Sequence, residues 1–160
     1  MNRRSGDLAD REVVVTRRFN AGPEVLWEWW TDPARIVRWW GPAGFRTTIH
    51  EMDVRKGGVW DHVMHGPDGT DYPSKARFTD VAKHARLAYT LEGGTPAERI
   101  SCEVSWTFVT EGRGTVVTMR MRFPTVEARD RAQKALGVRE AGVETLNRLA
   151  ALADATKESP

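Results

Sequence analysis

Few side chains in this chain of 160 residues have the type and spacing that chemistry needs. The four histidines, His50, His62, His65 and His84, include no pair one helical turn apart around a glutamate, and no Cys-x-x-Cys accompanies them, so the spacing offers no metal site. His62 is the one to follow. It lies in an alternating run, Val59 to His65, that turns Trp60, His62 and Met64 to one face, where a ring nitrogen can bond to a ligand or act as a general base. The plainer reading is a buried histidine satisfied by a neighbour. Cys102, the single cysteine, shares a face with Val104, Trp106 and Phe108 and reads as inert packing. Glu51 and Asp53 are two apart and share a strand face, yet Asp53 beside Arg55 and Gly57-Gly58 reads as an ion pair anchoring a turn. No Gly-x-Ser-x-Gly elbow, phosphate loop or dinucleotide fingerprint occurs, and Gly66-Pro67-Asp68-Gly69 is a hairpin turn.

What remains is aromatic and soft. Five of the seven tryptophans, Trp27, Trp29, Trp30, Trp39 and Trp40, fall between Gly22 and Gly44, and Trp60, Trp106, Met64, Met119 and Met121 occupy alternating positions further on. Each alone reads as core. As a set they exceed what a tight core needs, and methionine with flat aromatics is also how adaptable apolar pockets are lined.

The elements that hold these residues follow from their neighbours. Glu12 to Phe19 is a strand rich in Val and Thr. Pro23 at a first helical position, with Gly22 as N-cap and Glu24 at the positive helix end, predicts a helix closed at Thr31; Asp32 and Pro33 repeat the device for a second one, stopped by Gly41 and Pro42. Period-two patterning then runs to Pro124 and predicts strands over Phe45 to Val54, Val59 to His65, Ser74 to Val81, Leu87 to Leu91, Ile100 to Thr110 and Thr115 to Phe123. Thr125 can cap a helical stretch reaching about Ala155, with Ala132, Leu136, Val143, Leu146, Ala150 and Ala153 along one face and a break near Gly137. The order predicts an α+β fold: a curved antiparallel sheet of six or seven strands, apolar on one face, with helices covering that face.

Composition bounds the rest. A length of 160 residues suits one domain, here 11–155, between a polar, loosely attached stretch 1–10 and a tail 156–160. Net charge is +2 with no block of like charges, which argues against nucleic acid as a partner. A lone cysteine and no charged-then-apolar opening segment predict a reducing, cytoplasmic location, and the longest apolar run, Leu149 to Ala153, is far too short for membrane insertion.

The chain resembles the START-like or Bet v 1-like (SRPBCC) superfamily with the helix-grip fold, and within it the branch similar to the activator of the ninety-kilodalton heat-shock chaperone's ATPase. The likeness runs from about Arg11 to Ala153. Its carriers are Arg17-Arg18-Phe19 with Ala21 and Pro23, Trp27, Thr31-Asp32-Pro33, Trp39-Trp40-Gly41-Pro42 with Gly44-Phe45, Met52-Asp53-Val54-Arg55, Gly57-Gly58, Met64-His65-Gly66-Pro67-Asp68-Gly69 with Tyr72-Pro73, Thr118-Met119, Phe123-Pro124, and Glu140, Gly142, Thr145-Leu146 and Leu149. The resemblance implies a cavity between the concave sheet and the long C-terminal helix. Trp29, where the family pattern is small, and His62, where it is aromatic or aliphatic, depart from it.

The directions of the side chains place nine residues around that cavity: Trp39, Trp40, Trp60, His62, Met64, Trp106, Met119, Val143 and Leu146. The expected function is binding of a small hydrophobic or aromatic molecule, lipid or polyketide-like, as carrier or sensor, by a monomer or homodimer without metal or cofactor. The resemblance implies two alternatives. One is a co-chaperone, not favoured because these residues hold no room for the separate N-terminal docking domain of the eukaryotic activators; the other is a cyclase- or hydrolase-like enzyme with His62 as acid or base.

Overall fold

The computed structural model describes residues 8–158. The stretches expected to be loose fall partly at 1–7 and 159–160, outside the described residues; Leu8–Arg11 is a 3-10 turn. β1 (Glu12–Phe19) buries Val13, Val15 and Phe19 on one face. α1 (Pro23–Thr31) starts at its proline, with Gly22 in extended conformation before it, and ends at Asp32, whose carboxylate accepts the Ala34 N–H at 3.0 Å and so starts α2 (Pro33–Ile36).

α2 is shorter than expected. It passes into tighter turns after Ile36, with the Trp39 N–H donated to the Ile36 carbonyl at 3.2 Å. Pro42 has no N–H for the Arg38 carbonyl, and Arg148 donates instead to the carbonyls of Gly41 at 2.9 Å, Pro42 at 3.0 Å and Arg38 at 3.4 Å.

The remaining strands are β2 (Arg46–Met52), β3 (Val59–His65), β4 (Asp71–Ala82), β5 (Arg86–Gly94), β6 (Arg99–Glu111) and β7 (Gly114–Arg122). They form one antiparallel sheet of seven strands in the order β1-β7-β6-β5-β4-β3-β2. β2 to β7 are a meander, and β1 joins it by pairing with β7, so that α1 and α2 cross from one edge of the sheet to the other. β4 and β5 are longer than the expected Ser74 to Val81 and Leu87 to Leu91: β4 takes in Pro73, and β5 runs through Gly93-Gly94.

Thr125 caps α3 (Val126–Leu136) by accepting the Ala128 N–H at 3.0 Å, and Gly137, left-handed at φ 58°, separates it from α4 (Val138–Glu158). Only glycine adopts that conformation freely, which is why the break falls there. α4 runs on past residue 155. It packs across β1 and the sheet's concave face, where Leu146, Leu149 and Ala153 are fully buried. This is the helix-grip architecture.

One end of the concave face is filled by aromatic rings. Trp30 packs edge-on to Phe19, Trp39 and Phe108 at centroid distances of 6.4, 4.7 and 5.0 Å, and tilted against Trp106 at 5.2 Å. Ring quadrupoles favour such arrangements.

Candidate functional site

The other end of the concave face is hollow. Its floor carries Ser74 on β4, Leu91, Gly93 and Gly94 on β5, Ile100 and Trp106 on β6, and Met119 and Met121 on β7; its roof is Val138, Ala141, Gly142 and Thr145 of α4, with Leu136 of α3 beside them. One side is closed by Trp40 and Phe45, by Met64 of β3 and by Tyr72 of β4. The cavity measures about 180 Å³ and is partly open to solvent. It exists because the facing positions are small. A Cβ on Gly142 would lie 3.1 Å from Met119 Cε and 3.6 Å from Val15 Cγ2, so glycine there lets α4 come close to β1 and β7.

The turn that forms one lip is tied to the roof. Besides the Arg148 bonds, the Ala43 N–H is donated to Glu144 Oε1 at 3.1 Å, so two α4 side chains four residues apart hold the Gly41–Ala43 backbone.

His62 lies beside this cavity and does not border it. It is 1 % exposed, its ring stacks on Trp60 at 4.0 Å, and its Nε2 accepts the indole N–H of Trp40 at 3.2 Å. Accepting through Nε2 places the ring proton on Nδ1, and that buried nitrogen has no partner. Burial first, and the charge of His50 second, push the His62 pKa down to about 3, so the ring is neutral. A base so weak accepts no proton near neutrality.

The other reactive candidates are inert. Burial pushes the Cys102 thiol up to about 12, leaving no thiolate, and Tyr89, shifted upward for the same reason, accepts the Trp106 indole N–H at 3.0 Å. Asp53 pairs with Arg55 at 2.8 Å beside the β2–β3 turn. Thr48, His65 and Asp71 form a chain across β2, β3 and β4, with 2.8 Å at each ring nitrogen, but none of the three borders the cavity. Among the described residues no His, Cys, Asp and Glu cluster could hold a metal ion.

The fold is shared with known proteins. The family model described as Activator of Hsp90 ATPase homolog 1-like protein matches residues 20–154. The chain belongs to this family. A crystal structure of protein Ms6760 from Mycobacterium smegmatis is similar to this AHSA1-type chain with 26% identity over 94% of this chain and 95% of that one, at a TM-score of 0.83. A Rhodobacter sphaeroides protein is 25% identical over 95% and 98% of the two chains, at a TM-score of 0.78. An AHSA1 protein from Silicibacter pomeroyi, 22% identical over 88% and 95%, has a TM-score of 0.71 and shares the fold. No match was found among curated proteins.

Of the nine residues expected around the cavity of this AHSA1-family chain, Trp40, Met64, Trp106 and Met119 border it. Trp39 and Trp60 are buried behind them in the ring-packed core, Leu146 is fully buried without reaching the space, and His62 meets Trp40 instead of the cavity. Val143 points outward, 43 % exposed. The break at Gly137 restarts the helical phase, so the buried stripe of α4 runs Val138, Gly142, Thr145, Leu146, Leu149, Ala150 and Ala153, which leaves Val143 off it. Trp29 also stays away from the cavity: it is buried, its carbonyl accepts the Trp39 indole N–H at 3.0 Å, and the guanidinium groups of Arg35 and Arg38 lie 5.4 and 5.2 Å from its ring centroid.

Ser74, Tyr72, Gly93, Ala141 and Gly142 were not expected. Ser74 did carry a signal, since it shares period-two alternation with Ala76 and Phe78, both buried. Small residues mark a hollow only once their facing elements are known.

Proposed function

We propose that this AHSA1-family protein binds a small apolar or aromatic molecule in the cavity between its sheet and α4, as a carrier or sensor. The observation that supports the reading is a hollow of about 180 Å³ walled by Trp40, Trp106 and three methionines in an otherwise close-packed interior. An apolar cavity of about 150 Å³ takes up benzene. The space here accordingly suits one or two rings rather than a long lipid chain or an extended polyketide. Titration with naphthalene and related aromatics, followed by quenching of tryptophan fluorescence, tests this, because Trp40 and Trp106 both border the space. Saturable quenching below millimolar concentration is expected; none with any such compound contradicts the reading.

A second reading, activation of a heat-shock chaperone's ATPase, is supported by the description of the family alone. Adding the protein to its host's chaperone is expected to leave ATP hydrolysis nearly unchanged, and a several-fold stimulation would favour this reading. Acid–base catalysis by His62 in the cavity is not proposed, since that ring does not border the space. Among the described residues no helix is long and apolar enough to cross a membrane, and residence in the cytoplasm is part of the proposal.

A further inference from the structure

The cavity lining is mostly apolar and carries three hydroxyl-bearing residues, Ser74, Tyr72 and Thr145, of which Thr145 already donates to the Ala141 carbonyl at 2.7 Å. Ser74 is 6 % exposed and borders the space, yet among the described residues its hydroxyl has no hydrogen-bond partner. A hydroxyl that opens onto the cavity and is unbonded within the protein is free to bond whatever occupies the space, so it marks where the polar group of water or a ligand would sit. The neighbouring position is kept clear. A Cβ on Gly93 would lie 3.0 Å from Ser74 Oγ, so glycine there leaves a niche beside the hydroxyl. Gly93 does not have a positive φ, so its backbone does not demand glycine, and room beside Ser74 is what the residue provides. Across the strand pair Ser74 stands opposite His62, and Met64 stands opposite Tyr72, which also borders the cavity.

Charge is missing from this polar end. Among the described residues no Asp, Glu, Lys, Arg or His borders the cavity. Two arginines bonded to lining backbone use their guanidinium N–H groups on carbonyls and are not among the lining residues: Arg99 donates to Pro73 and Gly94 at 2.8 and 3.4 Å, and Arg148 to Gly41 and Pro42. His62 is neutral. A carboxylate or ammonium in the space would therefore be desolvated without a counter-charge, which is strongly unfavourable, whereas a neutral hydroxyl or carbonyl needs only the one hydrogen bond that Ser74 can give or accept.

We infer that the ligand is an uncharged, one- or two-ring molecule carrying a hydroxyl or carbonyl group, and that Ser74, with the space left by Gly93, selects for that group. This rests on the cavity reading above and adds the chemical class and the residue that sets it.

The test compares three probes of one shape, naphthalene, 2-naphthol and 2-naphthoate, by calorimetry at pH 7 against the wild type, Ser74→Ala and Gly93→Ala. In the wild type 2-naphthol is expected to bind about tenfold more tightly than naphthalene, the range of one neutral hydrogen bond, and naphthoate at least about tenfold more weakly than naphthalene. Ser74→Ala should abolish the naphthol advantage and leave naphthalene affinity within about twofold. Gly93→Ala should reduce the same advantage by filling the niche. Equal or tighter binding of naphthoate, or a naphthol advantage that survives Ser74→Ala, overturns the inference. Naphthalene binding with no naphthol advantage overturns it while leaving the cavity reading intact, and no binding of either naphthalene or 2-naphthol overturns both.

Discussion

The two ends of the concave face are built from similar residues and end in opposite states. At the α1–α2 end, Trp30 meets Phe19, Trp39, Trp106 and Phe108, and no space is left. At the α4 end, Met64, Met119, Met121 and Trp106 face Ala141, Gly142 and Thr145 across a cavity of about 180 Å³. Large apolar side chains alone decide neither outcome. A hollow appears where the opposite element brings small ones.

Mutations at the two ends should part company accordingly. The largest effect is expected from Trp30→Ala, which removes a side chain 1 % exposed from the middle of the ring cluster and should destabilise the fold by about 3–5 kcal/mol in urea denaturation. A loss below about 1 kcal/mol would mean that this end is not packed as described.

His62, at the boundary between the ends, should make stability depend on pH. The folded protein holds its pKa near 3 against an ordinary value of 6.5, so in the acid range the unfolded chain binds a proton that the folded one refuses. The contribution is complete above pH 6.5 and is lost as pH falls towards 3, by about 1.4 kcal/mol per pH unit. Between pH 6 and 4.5, His62→Phe should show a shallower decline than the wild type by about that slope. Parallel curves would place a charged or solvated histidine there.

At the hollow end, Ala141→Trp should fill the cavity and abolish ligand binding while changing stability by less than about 1.5 kcal/mol, since the ring enters existing space. Undiminished naphthalene affinity in that variant would put the ligand elsewhere. The smallest effect belongs to Val143→Trp two residues on, where the side chain is 43 % exposed: binding and stability should stay within about twofold and 0.5 kcal/mol of the wild type.

Val143 also shows what was legible in the sequence. Caps and breakers act locally, so Pro23, Asp32, Thr125 and Gly137 marked the helix ends, and the alternation from Cys102 to Phe108 and Val117 to Met121 identified the packed face of β6 and β7. The phase of α4 was not legible, because Gly142 reads as a gap in an apolar stripe when it is a point of close approach between helix and sheet. His62 was correctly turned to the concave face, but alternation carries no depth, and Trp40 is what comes to border the cavity beside it.

The division of the concave face is tested most directly by the methionine methyl groups, three of which border the hollow while Met52, packed at the side of the core, does not. In a protein labelled with ¹³C at those methyls, titration with naphthalene should shift the Met64, Met119 and Met121 resonances together and saturably, with Met52 unmoved. No shift at the three, or an equal shift at Met52, would contradict a ligand site at the hollow end.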